Sequence, residues 1–189
     1  MLSLVFKSII RIWPMSLKTI FLDRDGVINH EVGYLHKIED FQFINGVFEA
    51  CLQFQSLNFQ IVVISNQSGI SRGYYSESDF HKVNNWMLDQ FKRQGINILD
   101  VFFCPHGPKD GCECRKPKPG MLFQAKQKHG IDMSRSWMIG DTETDMIAAN
   151  AAGINDTILV RSGHDIDAKN SSAKYILNSI KEAQSIISH

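Results

Sequence analysis

The stretch TIFLDRDG, residues 19–26, sets the pattern of the whole chain, because a short apolar run ends directly in acidic residues and a glycine. Similar apolar runs recur at residues 61–64, 98–103, 137–139 and 157–160, and helical patterns occupy residues 46–57, 76–95, 122–129, 143–152 and 179–187. Alternation of strands with helices is typical of an α/β fold with a mostly parallel sheet. We therefore predict a Rossmann-like three-layer sandwich, with one helical layer on each face of the central sheet.

The length of 189 residues suits one domain, which we assign to residues 15–189. Between Asp23 and Ser65 there is room for one loop and one helix only, so we expect no separate cap domain. Residues 1–14 (MLSLVFKSIIRIWP) are apolar, but Lys7 and Arg11 interrupt the run, unlike in a signal peptide. The stretch is also too short to span a bilayer. We expect an extension outside the fold, with a peripheral amphipathic anchor as the alternative.

The charge balance limits the classes of partner. Lys plus Arg and Asp plus Glu are both 20, which gives a formal net charge of zero. A broad nucleic-acid surface needs an excess of positive charge, so we expect no nucleic-acid partner. Three of the four cysteines cluster between residues 104 and 114, which favours a metal site over the disulfides of a secreted protein. We expect a cytoplasmic monomer without a membrane partner.

Polar residues follow the predicted strands, at the edge where open α/β sheets bind their ligands. Asp23 and Asp25 follow the first strand, and Asp141 follows the fourth. An isolated acidic pair can be a solvated turn, but three carboxylates in one crevice repel each other unless a cation joins them. Oxygen ligands suit a hard divalent ion that keeps several waters. The pattern therefore predicts a Mg²⁺ site formed by these three residues.

The same edge offers groups that suit a phosphate monoester. Ser65 supplies a hydroxyl, residues 66–69 supply backbone N–H groups, and Lys116 supplies a positive charge. Donors that are already in place stabilise a transferring phosphoryl group, by roughly 3–4 kcal/mol per donor in other acyl-transfer sites. The sequence thus predicts a phosphate site beside the metal.

Residues 104–116, which we call the Cys/His loop, contain the spacing C-x-H-x5-C-x-C formed by Cys104, His106, Cys112 and Cys114. Three cysteines and one histidine are a standard tetrahedral Zn²⁺ shell. The loop has no apolar periodicity, so a structural metal would order it, and four protein ligands leave no open position for catalysis. The alternative is a flexible loop with free thiols. The metal would fix Arg115 and Lys116 beside the phosphate site.

Taken in chain order, several motifs resemble those of the haloacid dehalogenase-like phosphatases: Asp23-Arg24-Asp25-Gly26, Ser65, Lys116, and Gly140-Asp141 with Asp145. The Cys/His loop narrows the resemblance to the branch of histidinol-phosphate and heptose bisphosphate phosphatases. Within that branch, residues 23–29, 65–73, 104–106, 112–121 and 159–163 resemble the heptose enzymes. The resemblance covers residues 17–187.

The resemblance implies a role for each matching residue. Asp23 would be the nucleophile that forms an aspartyl-phosphate, and Asp25 would be the general acid and then the general base. Asp23, Asp141 and the backbone carbonyl of Asp25 would hold magnesium, and Ser65 and Lys116 would stabilise the phosphoryl group. Arg115 would recognise the rest of the substrate. Further substrate contacts are implied for Glu31, Gly33, Tyr34, Asn66, Gln67 and Ser68.

The implied enzyme is a phosphoric monoester hydrolase that removes the 7-phosphate of D-glycero-β-D-manno-heptose 1,7-bisphosphate, with the preference between anomers left open. This step belongs to nucleotide-heptose biosynthesis for the lipopolysaccharide core. The alternatives are histidinol phosphate or another small sugar phosphate as substrate, and a zinc-stabilised binding module without turnover. The stretch SGISRG, residues 68–73, favours the heptose, whereas Thr142 replaces a lysine of some relatives and removes a phosphate contact. His129 and His164 are assigned to the surface.

Overall fold

The computed structural model of the chain describes residues 16–187, so the predicted extension 1–14 and Met15 lie outside the described residues. Six parallel strands form one sheet in the order β3-β2-β1-β4-β5-β6. Their bounds are β1 Thr19–Leu22, β2 Gln60–Asn66, β3 Ile98–Cys104, β4 Trp137–Gly140, β5 Asp156–Val160 and β6 Tyr175–Leu177. The five predicted strands are confirmed. The sixth was not predicted, because three half-buried residues at a sheet edge give no alternation to detect.

The helices are α1 Val47–Ser56, α2 Glu77–Arg93, α3 Gly120–His129, α4 Glu143–Ala151 and α5 Ala183–Ile186. Single 3-10 turns occupy Ile38–Asp40, Met133–Arg135 and Ile180–Glu182. Helix α2 begins where its sequence predicts, because Ser76 and Asp79 form a capping box that satisfies otherwise unpaired backbone N–H groups. The predicted helix over residues 179–187 is wrong in its first turn, which is the third of these 3-10 turns.

Two apolar clusters cover the two faces of the sheet. Along β1, Ile20 and Leu22 belong to one cluster and Phe21 to the other. The four residues of β1 are all buried, as expected for a parallel strand covered by helices on both faces. Each fully buried large apolar side chain contributes about 1.5–3 kcal/mol. This arrangement confirms the predicted three-layer sandwich.

The strand register brings distant polar residues together. Leu22 is paired with Val63 of β2 on one side and with Ile139 of β4 on the other. Asp23 extends this register, because its backbone N–H donates to the Ile139 carbonyl at 2.9 Å. The chain leaves β1 toward β2 on one side and returns to β4 on the other, which is the point where open α/β sheets bind ligands.

The connections leave this edge of the sheet open. Within residues 16–187, the chain between β1 and β2 holds one 3-10 turn and α1, and the chain between β2 and β3 holds α2. Neither connection has enough regular structure for a separate cap domain. Among the described residues there is also no helix with the length and apolar character that crossing a membrane requires.

Candidate active site

Asp23 lies at the centre of the site, directly after β1, and is mostly buried. Its Oδ1 accepts a hydrogen bond from the backbone N–H of Arg24 at 2.7 Å and forms an ion pair with Lys116 Nζ at 2.9 Å. Burial raises the pKa of Asp23 well above its usual range, and the Lys116 charge opposes this while Asp145 and Asp141 add to it. Both bonds fall on Oδ1, so Oδ2 is left for a ligand in the crevice.

Lys116 is the buried cation of the site. Its ammonium group forms ion pairs with Asp23 Oδ1 at 2.9 Å and with Asp145 Oδ1 at 2.5 Å, and it donates a hydrogen bond to the Ile64 carbonyl at 3.0 Å. Burial alone would lower the pKa of Lys116, but Asp145 and Asp23 raise it above its ordinary value. Lys116 is therefore a permanent positive charge beside Asp23.

Carboxylate oxygens of Asp23, Asp141 and Asp145 lie within 4.8 Å of one another and could hold a metal ion. Asp145 is already committed, because its Oδ1 pairs with Lys116 and its Oδ2 accepts from the backbone N–H of Thr142 at 3.1 Å. Burial raises the pKa of Asp141, and Asp145 adds to this effect. Two buried carboxylates, Asp23 and Asp141, thus remain to balance a cation. An all-oxygen donor set fits magnesium.

His164, which the sequence placed at the surface without a role, contacts this metal site. Its Nδ1 lies 2.7 Å from Asp141 Oδ2, and its backbone N–H donates to the same oxygen at 3.1 Å. The preceding Gly163 allows this approach, since a Cβ there would overlap Asp141 Oδ2. The signal that could have found His164 is its place after β5, because every strand end of this sheet contributes to the same edge.

His129, which the sequence places at the surface, is partly exposed and is also engaged. Its Nε2 lies 2.7 Å from Asp100 Oδ2, and Lys128 Nζ reaches the same oxygen at 2.7 Å. These contacts join α3 to β3 away from the crevice, so they are structural.

Asp25 lies next to Asp23 in a dense set of donors. Arg24 Nη2 reaches both of its oxygens at 3.0 and 2.9 Å, Asn29 Nδ2 donates at 3.0 Å, and Gln67 Nε2 donates at 3.1 Å. The Arg24 side chain is itself buried, with 1% of the residue exposed. An arginine is rarely buried so completely unless it is paired with an opposite charge. The carboxylate of Asp25 compensates the buried guanidinium, and the pair fixes the turn after β1.

The last two residues of β2 are held by hydrogen bonds beside the crevice. Ser65 is buried and accepts from Gln67 Nε2 at 2.7 Å. The Asn66 amide is bonded to both backbone groups of Lys116, donating to its carbonyl at 3.2 Å and accepting from its N–H at 3.1 Å. Asn66 therefore holds the lysine in place, and it also lines the crevice.

Most of the predicted site residues meet in one crevice of about 390 Å³, a size that suits a small molecule. We call it the carboxylate crevice. Glu31 and Tyr34 form part of its wall, and Tyr34 has the rare backbone angle φ 54°. Ser65 is buried and is not among the lining residues. Sequence reasoning missed five further lining residues, namely Leu35, Tyr75, Thr142, Thr144 and His164. The predicted residues that line the crevice are Asp23, Asp25, Glu31, Gly33, Tyr34, Asn66, Gln67, Ser68, Arg115, Lys116 and Asp141.

The four predicted zinc ligands converge in the Cys/His loop. One ligand atom from each of Cys104, His106, Cys112 and Cys114 lies within 4.8 Å of the others. Cys104 Sγ is 3.6 Å from Cys112 Sγ and 3.0 Å from Cys114 Sγ, too far for a disulfide bond. Arg115 donates to the His106 carbonyl at 3.2 Å, which ties the loop to the crevice. The cluster could hold zinc.

Known proteins share this architecture. The HAD-hydrolase-like family model matches residues 113–183. The D-glycero-alpha-D-manno-heptose-1,7-bisphosphate 7-phosphatase of Campylobacter jejuni is 47% identical over 171 residues, which are 89% of this chain and 98% of the relative. The D-glycero-beta-D-manno-heptose-1,7-bisphosphate 7-phosphatase of Yersinia pestis is 43% identical over 175 residues, which are 88% of this chain and 93% of the relative.

A solved structure extends the similarity to the fold. The D,D-heptose 1,7-bisphosphate phosphatase from B. bronchiseptica, complexed with magnesium and phosphate, superposes with a TM-score of 0.80 at 26% identity. The match covers 90% of this chain and 97% of that structure. Identity above 40% over nearly the whole of both curated relatives shows the family. The chain belongs to the haloacid dehalogenase-like phosphatases, in the branch of the heptose-1,7-bisphosphate 7-phosphatases.

Proposed function

We propose that this protein is a magnesium-dependent phosphatase that removes the 7-phosphate of D-glycero-D-manno-heptose 1,7-bisphosphate. The observation that carries the proposal is the pairing of Asp23 with the buried Lys116 in the carboxylate crevice, with Asp25 beside them and Asp141 opposite. The curated relatives from Campylobacter jejuni and Yersinia pestis bear the name of this activity over nearly their whole length.

The chain's own residues supply the nucleophile and the proton-transfer group for two successive displacements. Asp23 Oδ2 attacks phosphorus, the bond from phosphorus to the sugar oxygen breaks, and Asp25 gives that oxygen a proton. Asp25 then takes a proton from water, whose oxygen attacks the phosphorus of the aspartyl-phosphate and releases inorganic phosphate and Asp23. A carboxylate nucleophile in this way splits one difficult hydrolysis into two easier steps. One carboxyl group serves both proton transfers.

Three groups stabilise the phosphoryl oxygens in this scheme. The Ser65 hydroxyl donates a hydrogen bond, and Lys116 supplies positive charge while holding the nucleophile in place. Magnesium, bound by Asp23, Asp141 and the backbone carbonyl of Asp25, would neutralise the phosphoryl charge. Arg115 and the wall formed by Glu31, Gly33, Tyr34 and Ser68 would contact the sugar and its second phosphate.

The Cys/His loop has a separate role in the proposal. Zinc held by its three sulfurs and one imidazole orders the loop, and Lys116 follows Cys114 by two residues. Thiolate ligands select zinc, whereas carboxylate oxygens select magnesium, so the two ions would not exchange sites. The ligands must be reduced, which supports a cytoplasmic location. Since one chain supplies every proposed group, we also infer a working monomer.

The decisive experiment compares purified protein on both anomers of the heptose bisphosphate and on histidinol phosphate, with and without magnesium. We expect a kcat/KM for one heptose anomer at least 10²-fold above that for histidinol phosphate. The curated relatives divide between the α and β anomers, so this assay also assigns the anomer. Faster turnover of histidinol phosphate would overturn the proposed substrate, and a lack of magnesium dependence would overturn the metal assignment.

A further inference from the structure

Gln67 sits between two groups of the proposed machinery and touches both. The residue is buried, with 2% of its surface exposed. Its Nε2 donates to Asp25 Oδ2 at 3.1 Å and to Ser65 Oγ at 2.7 Å, so both amide hydrogens are used. Its backbone N–H donates to the Cys104 carbonyl at 2.8 Å. No donor of Gln67 remains for a substrate, although the sequence predicted a substrate contact.

The orientation of the Gln67 amide is fixed from both sides. Its Oε1 accepts from Tyr75 OH at 2.7 Å and from Arg24 Nη2 at 3.4 Å. A guanidinium has only donors and a carboxylate has only acceptors, so a flipped amide would place nitrogen against Arg24 and oxygen against Asp25. Burial raises the pKa of Tyr75 to about 12, so its hydroxyl stays protonated and keeps donating.

This fixed amide has a consequence for each of its two partners. Because Gln67 occupies a lone pair of Ser65 Oγ, the Ser65 hydrogen is left to donate elsewhere, and the proposed mechanism directs it to the phosphoryl group. Asp25 is held by Gln67 on Oδ2 and by Asn29 on Oδ1, which restricts rotation of its carboxyl group. The Gln67 side chain thus orients both Ser65, the proposed hydrogen-bond donor to the phosphoryl group, and Asp25, the proposed proton-transfer group.

We propose that Gln67 is a positioning residue that aligns Asp25 and Ser65 for phosphoryl transfer, and that Tyr75 and Arg24 lock its amide. The inference rests on the proposed roles of Asp25 and Ser65, but not on the identity of the sugar. A positioning residue of this kind lowers the barrier of the chemical step without contributing to substrate affinity, so its loss changes kcat and leaves KM nearly unchanged.

The experiment replaces the amide with an apolar side chain of similar length, Gln67→Met, and measures the first turnover of two probes. The leaving group of p-nitrophenyl phosphate departs without a proton, whereas that of ethyl phosphate requires one. Loss of Asp25 alignment should slow ethyl phosphate cleavage by about 10²-fold, within the range of general acid catalysis. Cleavage of p-nitrophenyl phosphate should slow by only about 10-fold, through Ser65, and KM should stay within about twofold.

Gln53→Met is the matched control. Gln53 is another glutamine with a bonded amide, which donates to the Gln184 carbonyl at 2.8 Å on the α1 side of the fold. The Gln53→Met substitution removes a comparable hydrogen bond without touching the crevice, so the variant should cleave both probes at wild-type rates. Tyr75→Phe is a milder test that keeps the core filled, and it should show the same unequal loss at a smaller size.

Several results would overturn the positioning role. Equal losses on the two probes in Gln67→Met would show a structural defect, and a raised KM with unchanged kcat would show a direct substrate contact. If Gln67→Met does not fold, wild-type kinetics in Tyr75→Phe would be equally decisive. Wild-type protein that hydrolyses both probes but not the heptose bisphosphate would overturn the proposed substrate alone, and the comparison of variants would still stand.

Discussion

The carboxylate crevice and the Cys/His loop are built in opposite ways, although they touch. The crevice draws Asp23, Lys116 and Asp141 from distant parts of the chain, and only the parallel sheet brings them together. The four ligand residues of the loop all fall between residues 104 and 114, and together they could hold one metal ion. The crevice therefore depends on the whole fold, whereas we propose that the loop depends on zinc.

The difference matters because the loop supplies the cation of the crevice. Lys116 follows Cys114 by two residues, and the Asn66 amide at the end of β2 clamps its backbone from the other side. A buried lysine without its carboxylates, or carboxylates without their lysine, would leave an uncompensated charge, which typically costs about 3–5 kcal/mol. The two regions are thus coupled through one ion pair, and variants that break either region should reveal the coupling.

The largest effect is expected from the crevice itself. Asp23→Asn keeps the shape of the side chain but removes the nucleophilic carboxylate, so turnover should be abolished. The thermal unfolding temperature should stay near that of wild type, because Asp145 still pairs with Lys116. Single-turnover release of phosphate by the variant, beyond contaminating wild type, would show that another group attacks.

A smaller but still large loss is expected for the neighbouring carboxylate. Asp25→Asn should reduce kcat by about 10²–10⁴-fold, the usual contribution of general acid–base catalysis. The loss should be greatest on alkyl phosphates, whose leaving groups need a proton. Steady-state kinetics on an alkyl phosphate checks this, and a kcat near that of wild type would remove Asp25 from the proton-transfer role.

The third prediction tests whether the loop positions the crevice. Mild EDTA treatment should stop activity, and magnesium alone should restore it while zinc stays bound, because thiolates hold zinc more tightly than carboxylates hold magnesium. Cys112→Ala should lose zinc and thermal stability. Its kcat should fall by about 10-fold, since a loosened Lys116 no longer stabilises the phosphoryl group.

Metal content and activity must be measured on the same samples, with Cys51→Ala as the control. Cys51 is a buried cysteine on α1 and belongs to neither candidate metal cluster of residues 16–187, so its replacement should reduce packing but change neither the zinc content nor the magnesium dependence. Full activity after complete removal of zinc would show that the loop does not position Lys116. The coupling between the two regions would then be wrong.

The fold was largely predictable from sequence because its signals are local. The run at residues 19–22 matches β1, and the capping residues Ser76 and Asp79 mark the start of α2. One exception, β6, has three half-buried residues at a sheet edge and is recognisable only beside β5. Its pairing depends on tertiary context, which periodicity does not encode.

The site was predictable in its membership but not in its internal bonding. Strand-end logic and the family resemblance named Asp23, Asp25 and Asp141, and the structure places all three in one crevice. Neither could show that the amides of Gln67 and Asn66 are hydrogen-bonded to protein groups, because these bonds depend on side-chain geometry. Arg24 and Tyr75 were missed for the same reason, since a buried arginine has meaning only once its carboxylate partner is seen.

The smallest predicted effect concerns His164. This residue separates the carboxylate crevice from the Cys/His loop, because it contacts the candidate metal site of the crevice and not the loop. Its Nδ1 and its backbone N–H both bond Asp141 Oδ2, which would leave Oδ1 to face magnesium. Partners that orient a metal ligand are typically worth about 10–100-fold in metal affinity. The effect should be smaller here, because the side chain is half exposed and the backbone bond survives substitution. His164→Ala should therefore raise the magnesium concentration for half-maximal activity by about 3–10-fold and leave kcat at saturating magnesium and the zinc content unchanged.

His164→Gln, which retains a side-chain donor, should recover part of the loss, and His81→Ala, at an exposed histidine on α2, should have no effect. Magnesium titration of activity, with calorimetry for direct binding, checks the result, and identical magnesium dependence in wild type and His164→Ala would remove the histidine from the metal site.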